Sequence, residues 1–150
     1  LSITIDIARE LPVPIEQAWD HLQDLASHVT WMRDAESIRF VGDTRRGVGT
    51  VMICRTRVGP IRTDDRLEVV GWEEGRSIAV AHTGLVRGSG ELRLIPRGSN
   101  SCTIRWRESL VFPRYVVGPL TERLALSILT RIWQGNLARF EATLDAPRSS

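Results

Sequence analysis

Asp65, His82 and Glu108 are ionisable side chains that strand alternation places on faces otherwise made of apolar residues. A carboxyl group with a raised pKa, or a histidine, can remove a proton next to a carbonyl and can protonate a leaving oxygen. The same groups can instead anchor the polar end of a bound molecule, or lie at the ends of a sheet and touch water. Burying a charge without a partner is costly, so each must be paired, hydrated or neutralised. A wet cavity meets that requirement, and Thr56 and Thr63 can supply hydrogen bonds beside Asp65.

Other chemistry-bearing residues carry less. His21 and His28 fall on or beside the first helices, on what reads as polar surface, and without a third ligand they make no metal site. Cys54 and Cys102 are far apart, lack metal-ligand spacing and read as free buried thiols. Gly88-Ser89-Gly90 lies within a strand, which fits a bulge or a close helix approach better than a phosphate loop. No metal or other cofactor is expected.

The inward-facing set depends on register. If Gly59-Pro60 is a two-residue turn, Val58 pairs with Ile61, Thr56 with Thr63, Cys54 with Asp65 and Met52 with Leu67. Arg55, Arg57, Arg62, Asp64, Arg66 and Glu68 then form a solvated outer face, and one slip or bulge flips the whole set. Cys102, Ile104, Trp106, Glu108 and Leu110 point inward by the same rule, as do Leu92 and Leu94. Ile78, Val80 and His82 are taken as inward because Ala79 and Ala81 have less to bury.

These strands belong to a regular order. Ile3 to Ile7 alternates as a half-buried strand, closed by Pro12 and Pro14. Pro14 suits the first position of a helix to Leu22 with Ile15, Trp19 and Leu22 on one face, and Asp24 can cap a second short helix through about Val29. Strands then follow one another through short turns from Ile38 to Val111, which with the first makes seven in a continuous antiparallel meander. Gly118-Pro119 opens a helical run to about Leu144, in which Leu120, Leu124, Ile128, Leu129, Ile132, Trp133, Leu137 and Phe140 form a wide, well-buried stripe. A helix of about 25 residues is about 38 Å long, enough to cross a sheet.

The opening Val13-Pro14-Ile15-Glu16-Gln17-Ala18-Trp19, with Asp24 and Trp31 after it, resembles the start of the START-like ligand-binding superfamily. Gly98 to Trp106 resembles the last strand of that superfamily, and Asn136-Leu137-Ala138-Arg139-Phe140 the end of its long helix. The resemblance spans nearly the whole chain, though its motifs are structural, Trp19 and Trp106 reading as core pieces. It implies an α+β helix-grip fold: a bent seven-stranded antiparallel sheet around a long C-terminal helix, with two short helices after the first strand. It also implies a cavity between sheet and helix. The residues expected to contact a ligand there are Trp31, Met52, Cys54, Thr56, Thr63, Asp65, His82, Trp106, Glu108, Leu124 and Ile128. Trp31 and Met32 fall where the superfamily has the cavity mouth; Trp31 is either a lid aromatic or packing for the helix pair.

Two functional readings follow. One is a carrier or sensor of a small hydrophobic molecule of lipid, polyketide or isoprenoid type, favoured because the inner face is mostly aliphatic. The other is a polyketide cyclase, aromatase or dehydratase using Asp65, Glu108 or His82 as acid or base. In a third, the surface serves a protein partner through Leu85-Val86 and Tyr115 to Val117.

Composition narrows the field further. The chain has 150 residues, 42% hydrophobic and 25% charged, with a net charge of +2, and reads as one ligand-binding domain over 1–145 with a frayed tail at 146–150. All 20 basic residues are arginine, dispersed among acidic ones, which points to a coding bias and away from nucleic-acid binding. Leu1 to Asp6 carries no leader pattern and no apolar run is long enough to span a membrane. A cytoplasmic monomer or homodimer is expected, with no stable membrane insertion.

Overall fold

The computed structural model describes residues 2–113 and 122–144. The expected helix opening at Gly118-Pro119, Leu120, the segment Tyr115 to Val117 and the tail 146–150 lie outside the described residues.

Seven strands form one antiparallel sheet: β1 (Ser2–Leu11), β2 (Ala35–Val41), β3 (Val51–Val58), β4 (Ile61–Glu73), β5 (Ser77–Thr83), β6 (Arg87–Pro96) and β7 (Cys102–Val111). Their order is β1-β7-β6-β5-β4-β3-β2, so the meander from β2 to β7 is extended by the first strand at its far edge. Helix α1 (Ile15–Leu22) and a 3-10 helix (Leu25–Thr30) connect β1 to β2, and helix α2 (Glu122–Leu144) lies across the inner face. This is the helix-grip arrangement.

The β3–β4 hairpin has the register the Gly59-Pro60 turn implies, with Cys54 opposite Asp65 and Thr56 opposite Thr63. Gly59 takes φ +60°, and the proline ring after it holds φ negative, the sign pattern of a type II′ turn that matches the twist of a hairpin. A register shift between Val69 and Gly71 on β4 leaves Val69 buried and Val70 exposed beside it. Such a bulge bends a sheet, and this one falls beyond the polar positions, so their facing survives.

β1 pairs with β7 through Leu11, opposite Cys102, and ends at the prolines expected to close it. Its apolar alternation is interrupted at Arg9, which lies on the inward side and bonds Glu141 of α2 at 3.0 Å. Asp24 precedes the 3-10 helix without a side-chain cap; its backbone carbonyl accepts from the amide and the hydroxyl of Ser27 instead.

The long helix is not evenly buried. From Trp133 onward, Asn136, Leu137, Phe140 and Leu144 are sealed in the core, whereas Leu124 is 48% exposed and Ile128 37%. The wide stripe predicted a helix well buried along its length; instead much of the N-terminal half stands off the sheet.

What seats the other half is polar. Asn136 has no exposed surface, and its Nδ2 donates to Asp34 Oδ1 at 2.7 Å. Its Oδ1 accepts from the backbone N–H of Arg33 at 3.1 Å and from Arg139, while Arg139 Nε donates to the Trp31 carbonyl at 3.1 Å. Trp133 Nε1 donates to the second Asp34 oxygen at 3.3 Å. One turn and a half of helix is thereby tied to the 31–34 segment, and Gln17 of α1 donates to the Leu144 carbonyl at its end. Asn136→Ala would leave a half-buried carboxylate oxygen and a backbone N–H without this partner and a gap in the core, so it should lower stability by about 1–3 kcal/mol. Urea denaturation checks this; a loss below about 1 kcal/mol would show that the network does not seat the helix.

Candidate functional site

Where α2 stands off, a cavity of about 710 Å³ opens between the helix and the inner face of the sheet. Its floor is the point at which the helix meets the sheet: Trp106 of β7 and Trp133 of α2 stack with centroids 4.7 Å apart and planes 5° apart. Behind them Trp31 meets Trp106 and Phe140 edge-on at 5.9 and 5.2 Å. Aromatic pairs of this kind are worth about 0.5–1.5 kcal/mol each beyond the area they bury. Most of the wall is aliphatic, including Ile38, Val80, Leu129 and Ile132.

One wall is polar. Asp65 is 8% exposed and receives the Thr56 hydroxyl at 3.1 Å and the Thr63 hydroxyl at 3.5 Å. Burial pushes its carboxyl above the ordinary carboxylate value, opposed by the Thr56 hydrogen bond and by nearby His82. On β7, Glu108 accepts the Trp106 indole N–H at 3.0 Å, and its other oxygen lies 3.6 Å from His82 Nε2. The side chains of His82 and Glu108 are 10% and 11% exposed, and neither His82 ring nitrogen has a hydrogen-bond partner.

That juxtaposition crosses a whole strand. His82 is on β5 and Glu108 on β7, with β6 between them. The intervening strand presents glycine here: Gly90 is opposite Glu108 and Val80, and Gly88 is opposite His82 and Leu110. A Cβ at Gly90 would stand 2.6 Å from Glu108 Cγ and 2.8 Å from its Oε1, closer than side-chain carbons pack. Gly88 takes φ +144°, which side chains rarely adopt, and a Cβ there would collide with the Ser109 carbonyl. The two glycines leave a bare furrow through which the glutamate reaches. The expected close helix approach is thus corrected: what approaches is the neighbouring strand and its side chain.

The structure gathers eight of the expected contact residues at this cavity: Cys54, Thr56, Thr63, Asp65, His82, Trp106, Glu108 and Ile128. Burial pushes the Cys54 thiol up to about 11, which keeps it protonated and inert; Cys102 is also free, buried and raised. Three residues do not line it. Met52 is buried in the core below the cavity-lining positions, and Leu124 turns outward with the raised part of α2. Trp31 is 2% exposed and forms part of the aromatic core, so it is packing and not a lid.

Met32, noted beside Trp31, does line the cavity, and so do two residues that were missed, His28 and Asp34. His28 is buried, not on polar surface, with its ring Nε2 2.8 Å from the Leu22 carbonyl and burial lowering its pKa. The available signal was a period of three: Leu25, His28 and Trp31 share a face only if the segment is 3-10 helix. Nothing in the sequence around Asp34 marks its partnership with Asn136, which is distant in sequence.

Solved structures show the same fold. A START superfamily protein from Mycobacterium smegmatis is 9% identical and aligns over 95% of this chain and 97% of its own, with a TM-score of 0.78. The Zhui aromatase/cyclase from Streptomyces sp. R1128 is 17% identical over 97% of this chain and 94% of its own, with a TM-score of 0.74. A truncated norcoclaurine synthase from Thalictrum flavum is 17% identical over 99% and 96%, with a TM-score of 0.70. At these identities the likeness is one of fold, the helix-grip arrangement described above. Residues 2–145 match the family described as polyketide cyclase / dehydrase and lipid transport, and the chain belongs to that family. No curated protein matches it significantly in sequence.

The raised pKa of Asp65 has a signed consequence. The folded protein holds this proton more tightly than the unfolded chain, so Asp65 favours folding at low pH and loses that contribution as pH rises through its folded value. Asp65→Asn should therefore gain thermal stability relative to wild type as pH rises from about 4, the margin widening until the folded-state carboxyl has ionised. Melting curves across that range test it, and a margin that is flat or shrinks contradicts it.

Proposed function

We propose that this protein holds one small, mostly apolar molecule between the sheet and the N-terminal half of α2, as a carrier or sensor acting without a cofactor. The observation that carries this reading is the cavity of about 710 Å³, within the range that encloses a drug-sized ligand, with largely aliphatic and aromatic walls. Membership of a family that spans cyclases, dehydrases and lipid transport is consistent with it. Cys54, Thr56, Thr63, Asp65, His82, Trp106, Glu108 and Ile128 are the contacts proposed for the ligand. We place the ligand-binding domain at 1–145. Two buried free thiols agree with a reducing compartment such as the cytoplasm.

A second reading is favoured by one specific arrangement, His82 within 3.6 Å of Glu108 on the wall that also holds Asp65. In that reading the protein is a cyclase or dehydratase. A buried carboxyl that stays protonated gives its proton to a departing oxygen, and His82 or Glu108 takes one from a carbon beside a carbonyl. Both readings require the same occupied cavity.

Native mass spectrometry with the neutral dye N-phenyl-1-naphthylamine tests the shared requirement. One equivalent should bind, and Val80→Trp, which fills the cavity from β5, should weaken binding at least about tenfold, or about 1.4 kcal/mol, while the fold persists by circular dichroism. Absence of uptake, or uptake indifferent to Val80→Trp, would count against the cavity as the binding site.

A further inference from the structure

The chain carries 20 arginines and no lysine, yet among the described residues none of them lines the cavity. Several lie on the outer face in pairs, such as Arg55 with Asp64 and Arg105 with Asp6, and others bond at the helix, as Arg9 and Arg139 do. Inside, the ionisable groups on the polar wall are Asp65, Glu108 and His82, two acids and one histidine. For an anionic ligand this is an unfavourable environment, because its charge would be buried beside carboxylates with no guanidinium to meet it.

The hydrogen-bond inventory points the same way. Three donors on this wall are already committed to the acids: the hydroxyls of Thr56 and Thr63 to Asp65, and the Trp106 indole to Glu108. A carboxyl group has more lone-pair sites than the donors each of these acids receives, so each retains acceptor capacity in either protonation state. His82 lines the same space with neither ring nitrogen hydrogen-bonded, an unmet hydrogen-bonding demand beside the two acids. The wall is therefore rich in acceptors and poor in uncommitted donors.

From this wall we infer that the ligand carries a hydrogen-bond-donating head group, a hydroxyl or a protonated amine, on an apolar body, and that the cavity discriminates against carboxylates and phosphates. The inference rests on the cavity being a ligand site and names the class of molecule it takes. The head group docks among Asp65, His82 and Glu108, and the body extends along the aliphatic wall toward Ile128.

Displacement of bound N-phenyl-1-naphthylamine by a series with one tail tests the inference: 1-decanol, decylamine and decanoate at neutral pH. The alcohol or the amine should displace the dye at concentrations at least about tenfold lower than decanoate, a gap of about 1.4 kcal/mol. The intact tail partitions differently with each head group, so the deciding comparison is the Asp65→Asn, Glu108→Gln double variant. There the gap should narrow at least threefold, chiefly through tighter decanoate binding. An alcohol or an amine as the better ligand supports the inference alike and identifies which donor the wall selects. Decanoate binding as tightly as the others, or a gap unchanged in the double variant, overturns the inference and leaves the cavity reading standing. Failure of the dye and of the whole series to bind the wild-type protein overturns the cavity reading and the inference with it.

Discussion

The buried amide of Asn136 and the Trp106–Trp133 stack fix where the long helix touches the sheet, and therefore where it does not. Below that point Leu137, Phe140 and Leu144 pack into a sealed core with β1 and α1. Above it, the described residues leave the space between the helix and the sheet open. A helix bonded at one end to the 31–34 segment cannot settle against the sheet at the other without breaking hydrogen bonds inside the protein, each costly to leave unmade. The cavity is the consequence of a helix held rigidly at half its length.

The sheet contributes a second constraint, also made of absence. Gly88 and Gly90 remove side chains from the inner face of β6, and Glu108 occupies the vacated furrow. Strand geometry otherwise keeps residues two strands apart from meeting. With the furrow, acids and a histidine from β4, β5 and β7 gather on one wall. Asp65 opposes folding once it ionises, since burial raises its pKa above the ordinary carboxylate value. Retaining groups that cost stability is what a functional site does and a core does not.

Much of this was legible in the residues. The Gly59-Pro60 turn set the β3–β4 register, and period-two alternation then told inner from outer positions correctly through β7. Legibility failed where side chains serve partners distant in sequence. Leu124 carries the same apolar signal as Leu137, but which half of a helix is lifted depends on Asp34, and local sequence does not encode that contact. Trp31 was assigned to the mouth by resemblance, whereas its ring contacts place it in the core. His28 was misread because 3-10 and α-helical spacing put different residues on the inner face.

The most direct test of the account is a crystal structure of the protein grown with 1-decanol. The account predicts the alcohol between the sheet and the N-terminal half of α2, its hydroxyl within hydrogen-bond distance of Asp65, His82 or Glu108. A helix lying flat on the sheet with no space beneath it, or an alcohol bound elsewhere while the cavity stays empty, would contradict it.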